Sequence, residues 1–131
     1  YEAARVFYFQ QKYQGAINLL NVAITLNANQ PSYYNDRGLA YFNSERYAES
    51  LADFQAALKL NPKGAKYAEH CGDNLWYLKR YREAWDSYNQ AIQLEPTRAS
   101  AWKSRGDVYR QLGDTVQANR DYAKARELGG K

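Results

Sequence analysis

The sequence repeats itself with a period of about 34 residues, which limits the chain to folds built from copies of one small unit. This repeat period is the interval from Gly38 to Gly72, and a shift of the segment 31–62 by one period in either direction reproduces much of its pattern. A period in the low thirties is typical of stacked helical hairpins, in which each unit packs on its neighbours. The recurring residues are Gly38, Gly72 and Gly106; Phe54, Tyr88 and Tyr122; and Ala23, Ala57, Ala91 and Ala125.

Apolar residues recur at helical spacing within each copy, and short polar or proline-containing segments separate the apolar stretches. The helices are expected to form antiparallel pairs in one array that spans residues 1–131. The array divides into a clipped first repeat at 1–30 and further repeats at 31–64, 65–98 and 99–131. The predicted helices cover residues 1–11, 13–26, 31–43, 47–60, 65–78, 81–94, 99–112 and 114–128.

The two ends of the array differ in sequence. The first helix is expected to begin before residue 1, so the chain is interpreted as a fragment or a processed product. In the last helix, Asn119 and Arg126 replace residues that are apolar in the earlier copies. Such a polar outer face is expected of a terminal repeat, which places the natural end of the array near Lys131.

Composition narrows the classes of protein. The chain has 45% hydrophobic and 15% aromatic residues, which is enough apolar surface to fold and argues against intrinsic disorder. The net charge of +4 is spread along the sequence, so the charge does not require a nucleic-acid partner. The single cysteine, Cys71, excludes an internal disulfide and leaves the compartment open. No apolar run reaches the roughly 18 to 20 residues of a membrane-spanning helix.

The small residues at the repeated positions have a structural role in this interpretation. Gly38, Gly72 and Gly106 are predicted where two helix backbones pass closely, and the repeated alanines allow the same approach on the second helix. A large side chain in place of Gly38 is therefore expected to overpack the crossing, at a cost of about 1 to 3 kcal/mol or more.

These positions resemble the tetratricopeptide repeat over the whole chain. The resemblance implies an all-α fold, a right-handed superhelical solenoid of antiparallel helix pairs. Arg37, Cys71 and Arg105 depart from it where leucine is usual, and Ser50 where alanine is usual. The two arginines are expected to pack their stems along apolar surface with their charged heads in water. The matching residues are Tyr34, Gly38, Tyr41, Phe54, Ala57 and Pro62, and again Trp102, Gly106, Tyr109, Ala118, Tyr122 and Ala125.

The resemblance also implies a binding surface, because the first helix of each pair lines a concave groove in such proteins. Tyr8, Phe42 and Trp76 are separated by one repeat period each and are predicted to form an aromatic row there. Such a row either only covers the inner face or serves as a platform for an extended peptide or a partner helix. The groove candidates are Arg5, Tyr8, Phe9, Asn35, Leu39, Phe42, Asn43, Lys66, Glu69, His70, Asp73, Trp76, Tyr77, Lys103, Asp107 and Arg110.

Several specific activities are not expected. Repeat domains that clamp the C-terminal carboxylates of heat-shock chaperones use a set of Lys, Asn and Arg residues that this chain does not reproduce, and Asp36 would repel a carboxylate. His70 and Cys71 are neighbours on one helix and do not face each other, so a nucleophilic pair is geometrically poor. A single histidine without a second ligand cluster does not predict a metal site. No phosphate-binding glycine loop occurs, so neither an enzyme nor a cofactor is predicted.

The predicted function is a protein–protein interaction scaffold that binds a peptide or a partner protein in the groove. Single-stranded nucleic acid is the alternative, because the isoelectric point is near 9.1 and aromatic residues are frequent. Its phosphate contacts would be Arg5, Lys66, Lys103 and Arg110. A third alternative is homo-oligomer formation through the N-terminal end, where the aromatic residues 7–9 are expected to be partly bare.

Overall fold

The computed structural model describes residues 2–130, with side chains described at residue 5 and from residue 9 to residue 130. This part of the chain is helical, with no strand. Two compact units divide it, Tyr1–Pro62 and Lys63–Lys131. The seven helices of the described residues are α1 (Glu2–Leu26), α2 (Pro31–Asn43), α3 (Tyr47–Leu60), α4 (Ala65–Tyr77), α5 (Tyr81–Leu94), α6 (Ala99–Gln111) and α7 (Thr115–Glu127).

Each unit is built by packing successive helices. In the first unit α2 packs on both α1 and α3, and in the second unit α5 packs on α4 and α6, and α6 on α7. The helix α4 also contacts α6, so the first helices of two successive hairpins are neighbours in this unit. The division into four repeats of one array stays a prediction.

Three hairpin turns share one backbone geometry, with left-handed residues that lie one repeat period apart. Glu45, Lys79 and Gly113 have φ angles of 63°, 62° and 90°. In each turn the following amide N–H donates to a carbonyl five residues earlier, at 2.8 to 2.9 Å between nitrogen and oxygen. This bond satisfies a carbonyl at the end of the first helix and reverses the chain.

The first predicted turn is absent, because α1 is one helix of 25 residues. The prediction of two helices at 1–11 and 13–26 is therefore wrong. Gln11 occupies the position of the left-handed residue, which costs about 1 to 2 kcal/mol for a residue with a side chain. Glu45 and Lys79 adopt this conformation in turns that do form, so the cost alone does not distinguish the first turn.

The predicted close approach at the glycines is confirmed. A Cβ atom at Gly38 would lie 2.9 Å from the ring of Phe54, and a Cβ at Gly72 would lie 2.6 Å from the ring of Tyr88. At Gly106 the same contact, to the aromatic ring on the second helix of its hairpin, would be 2.8 Å. Real Cβ atoms do not come this close, so each crossing depends on the missing side chain.

The charged heads of Arg37 and Arg105 bind buried carboxylates, which was not predicted, and the two arginine side chains remain 20% and 15% exposed. Arg37 donates from Nε and Nη2 to Asp53, at 2.8 and 2.6 Å, and Arg105 donates in the same way to Asp121, at 2.8 Å for both bonds. The two aspartate side chains are only 5% and 4% exposed. Hydrogen bonds to these carboxylates raise the pKa of both arginines.

An asparagine from the preceding helix completes each of these pairs. Asn21 of α1 accepts from Nη1 of Arg37 at 2.8 Å, and Asn89 of α5 accepts from Nη1 of Arg105 at 3.0 Å. Each network therefore joins three consecutive helices, and all of its members lie in one unit.

In the third repeat, Cys71 occupies the position that Arg37 and Arg105 occupy in their repeats. Cys71 is buried as predicted, and burial raises the pKa of its thiol to about 12.

Candidate functional site

The predicted groove residues of the first unit lie on α1 and α2. Arg5 and Phe9 are exposed on α1, whereas the side chain of Tyr8 lies outside the described residues. Phe42 is half-buried and packs edge-on against Tyr47, with ring centroids 5.5 Å apart. Phe42 therefore joins the two helices of its own hairpin. The remaining candidates on α2 are the half-buried Asn35 and Leu39 and the exposed Asn43.

The candidates of the second unit lie on the neighbouring helices α4 and α6. Trp76 repeats the geometry of Phe42, since its ring packs edge-on against Tyr81 at 5.2 Å. An aromatic row that includes residues of both units stays a prediction. We call the α4 and α6 candidates the first-helix face, which comprises the exposed Lys66, Tyr77, Lys103 and Arg110, the half-buried His70, Asp73, Trp76 and Asp107, and the buried Glu69.

Two carboxylates of the first-helix face are held by tyrosines from the second helix of each hairpin. The hydroxyl of Tyr88 donates to Oδ1 of Asp73 at 2.6 Å, and the hydroxyl of Tyr122 donates to Oδ1 of Asp107 at 2.6 Å. Short bonds of this kind, from a hydroxyl to an ionised carboxylate, are stronger than neutral hydrogen bonds. The two aspartates are therefore fixed in position while remaining 28% and 33% exposed.

The second oxygen of each carboxylate lies near a basic side chain, at a longer distance. Nδ1 of His70 lies 3.6 Å from Oδ2 of Asp73, and Nζ of Lys103 lies 3.8 Å from Oδ2 of Asp107. Lys103 is 58% exposed, and ion pairs of this length at a surface contribute little energy. Each carboxylate therefore has one oxygen in a short bond, and its side chain stays partly exposed.

Glu69 has a different role from the one predicted for a groove residue. Its side chain is 11% exposed, and its Oε1 accepts from Arg98 and, at 3.0 Å, from the hydroxyl of Ser100. These donors lie at the start of α6, so Glu69 ties α4 to the next hairpin. Sequence reasoning missed this role, and the only signal was the charge complement between Glu69 and Arg98.

The tyrosine–aspartate bonds lead to a prediction about alkaline pH. Burial and the bond to Asp107 raise the pKa of Tyr122 from its ordinary value of 10.0 to about 12, and burial beside Asp73 raises the pKa of Tyr88. A raised pKa in the folded state means that the stabilisation is complete below pH 10 and is lost as the pH rises through about 12. Tyr122→Phe should lower the free energy of unfolding at pH 7 by about 1 kcal/mol. Denaturant unfolding measured at pH 7 and between pH 10 and 12 should show a smaller alkaline loss in this variant.

The first-helix face does not bring together a metal centre. Within the described residues no group of three or more metal-ligating side chains comes together. In the same part of the chain, no helix is both long and apolar enough to cross a membrane. The chemistry that the face offers is hydrogen bonding and charge pairing around half-buried aromatic rings.

Helical hairpins with a glycine–aromatic crossing in each repeat period define a helical-repeat protein, and the comparisons give its family. The chain belongs to the tetratricopeptide repeat family, because a model described as tetratricopeptide repeat matches residues 31–63 and one described as TPR repeat matches residues 4–44 and 72–113. Among curated proteins, no relative matches the chain. The family consists generally of protein-interaction scaffolds without enzymatic activity.

Solved structures of MamA share the fold. A crystal structure of MamA is 23% identical, with a TM-score of 0.86 over 89% of this chain and 68% of that one. A second, MamA 41-end from Desulfovibrio magneticus RS-1, is 18% identical, with a TM-score of 0.84 over 91% of this chain and 67% of that one. Together with the family match, they confirm the predicted fold class, an all-α helical-repeat solenoid.

Proposed function

We propose that this chain is a protein-interaction module that binds an extended peptide segment, containing lysine or arginine, on the first-helix face of α4 and α6. The observation that carries the proposal is the pair of tyrosine-fixed carboxylates, Asp73 and Asp107. They lie on neighbouring helices, and their side chains remain 28% and 33% exposed.

The fixed geometry is what favours binding over simple surface charge. A carboxylate that is already held by a tyrosine hydroxyl loses little conformational freedom when a ligand binds, which lowers the entropic cost of association. Lysine and arginine side chains donate charge-assisted hydrogen bonds to such oxygens. The exposed Tyr77 and the half-buried Trp76 provide aromatic surface beside them for the apolar part of a peptide.

The same carboxylates argue against the two other ligand classes considered for this face. They would repel the terminal carboxylate of a chaperone tail and the phosphates of a nucleic acid. Of the cations proposed as phosphate contacts, Lys66 lies 5.3 Å from the ring of Tyr67.

A double variant, Asp73→Asn with Asp107→Asn, tests this proposal. Asparagine keeps an oxygen that can accept the tyrosine bond but removes the charge, so the fold should persist. Fluorescence anisotropy would measure binding of a labelled, unstructured peptide with lysine at alternate positions. We expect about tenfold weaker binding or more for the variant, which corresponds to the loss of about 1.4 kcal/mol.

The matched control removes two negative charges elsewhere in the same unit. Asp86→Asn with Glu127→Gln changes the net charge by the same amount, and both residues are exposed on α5 and α7. This control should bind the lysine peptide as the parent does. Equal weakening in both double variants would mean that general charge attraction is responsible and would refute the proposed face. Stronger binding of a single-stranded oligonucleotide, with a steep salt dependence, would favour the nucleic-acid alternative.

A further inference from the structure

The helix α1 exposes an apolar stripe on the face opposite its packing contacts. Leu19, Val22 and Leu26 are 75%, 58% and 81% exposed and are spaced so that they share one side of the helix. Ile17, on the opposite side, is 2% exposed. No charged residue occurs between residues 13 and 26, and the exposed polar residues of this stretch are Gln14, Asn18, Asn21 and Thr25.

In the later hairpins, the position equivalent to Leu19 is covered by the first helix of the same hairpin. Asp53 and Asp121, which lie one and three repeat periods further along, are each 3% exposed. Each is covered by the arginine 16 residues before it, Arg37 or Arg105. The later hairpins therefore cover the position of Leu19, whereas Leu60 and Leu94, equivalent to Leu26, are 40% and 36% exposed, about half as much as Leu26.

The residues that would cover α1 occur in its own sequence. The two positions that meet at a glycine crossing differ from the other repeats as a pair in the first repeat. Three repeats have glycine at one position and an aromatic residue at the other, whereas the first repeat has Ala4 and Leu20 at these positions. Alanine is larger than glycine and leucine is smaller than an aromatic ring, so the combined size is roughly kept. Similarly, Ala3 and Leu19 are both apolar where Arg37 and Asp53 are both charged. The side chains of Ala3 and Ala4 lie outside the described residues, and this comparison uses the sequence alone.

The straight course of α1 prevents these residues from meeting within one chain. Sixteen residues of an α-helix span about 24 Å, since each residue rises about 1.5 Å. We propose that a second copy of this chain covers the stripe, with the two α1 helices antiparallel. Residues 2–12 of each copy then pack on residues 15–26 of the other. Through this exchange, two chains together form the contact between first and second helix that each of the other repeats forms within one chain.

Val22→Glu tests the contact by disturbing an exposed residue of the stripe. Sedimentation velocity over a range of concentrations should show a dimer for the parent chain. The variant should dimerise about tenfold more weakly or worse, because a charge replaces apolar surface that the dimer buries. Val116→Glu is the matched control, since Val116 is 62% exposed and belongs to α7, not to the stripe, and this variant should dimerise as the parent does.

A pair of introduced cysteines tests whether residues 2–12 pack on the stripe of the same chain or of a second copy. In a Cys71→Ala background, Ala4→Cys and Leu20→Cys are introduced together and oxidised. A disulfide-linked dimer supports the exchange. A disulfide within one chain would mean that residues 2–12 fold back on their own helix, and would overturn the proposal. A parent chain that stays monomeric, or a dimer that Val22→Glu leaves unchanged, would overturn it as well.

Discussion

Replacing Arg105 by leucine is expected to lower the free energy of unfolding by about 3 to 5 kcal/mol, although leucine is the residue that the family resemblance predicts there. The variant would leave the carboxylate of Asp121 buried, with only 4% of its side chain exposed and both arginine bonds lost. It would also remove the donor to Asn89 and the cation among three aromatic rings, the closest of which, Trp102, has its centroid 4.9 Å from the guanidinium carbon. Urea unfolding at pH 7 measures the loss.

Two further variants test whether the loss of stability comes from the unpaired carboxylate of Asp121 or would follow from removing any arginine. Arg105→Leu combined with Asp121→Leu should recover most of the lost stability, because an apolar pair can replace a buried ion pair at little cost. Arg80→Leu removes an exposed arginine paired with Glu83, and should leave the unfolding midpoint almost unchanged. If Arg105→Leu behaved like Arg80→Leu, the carboxylate of Asp121 would have to be hydrated in the folded protein, contrary to the structure.

The repeat period predicted the helices of three hairpins and the glycine crossings, because both follow from local spacing and side-chain size. The buried Arg–Asp pairs were missed because each arginine was compared with the family pattern as a single departure. The sequence did contain a signal for these networks, which is the regular spacing of their three members. Asn21, Arg37 and Asp53 follow one another at equal intervals, and Asn89, Arg105 and Asp121 repeat the same set two periods later.

The fixed carboxylates of the candidate site were predictable only in part. Asp73 and Asp107 could be placed on the first helices, but a hydroxyl partner requires knowledge of which second-helix residue faces them. Comparing repeats suggests which residue that is. Tyr88 follows Asp73 at the same separation at which Phe54 follows Leu39, so the aromatic position of the second helix is the candidate partner. The continuous helix α1 could not be predicted in this way, because Gln11 has a side chain at the turn position just as Glu45 and Lys79 do.

The crossing at Gly72 provides the second large effect, with Gly72→Ala expected to lower the free energy of unfolding by about 2 kcal/mol. Alanine stabilises a helix by about 1 kcal/mol relative to glycine. The sign of the change in the free energy of unfolding therefore depends on whether the ring of Tyr88 can move. That ring would lie 2.6 Å from the new Cβ, is 2% exposed, and is held by the bond to Asp73. It has no direction in which to yield, so overpacking should exceed the gain in helix propensity. Urea unfolding at pH 7 tests the sign.

The same substitution at Gly15 should have the opposite sign. No atom lies within 4 Å of a Cβ built at Gly15, so Gly15→Ala should stabilise the protein by about 0.5 to 1 kcal/mol through helix propensity alone. Tyr88→Leu added to Gly72→Ala should relieve the crossing, so the double variant should lose less stability than the sum of the two single variants. This combination reproduces the Ala4 and Leu20 pair of the first repeat. Strict additivity would show that the ring of Tyr88 does not decide the cost.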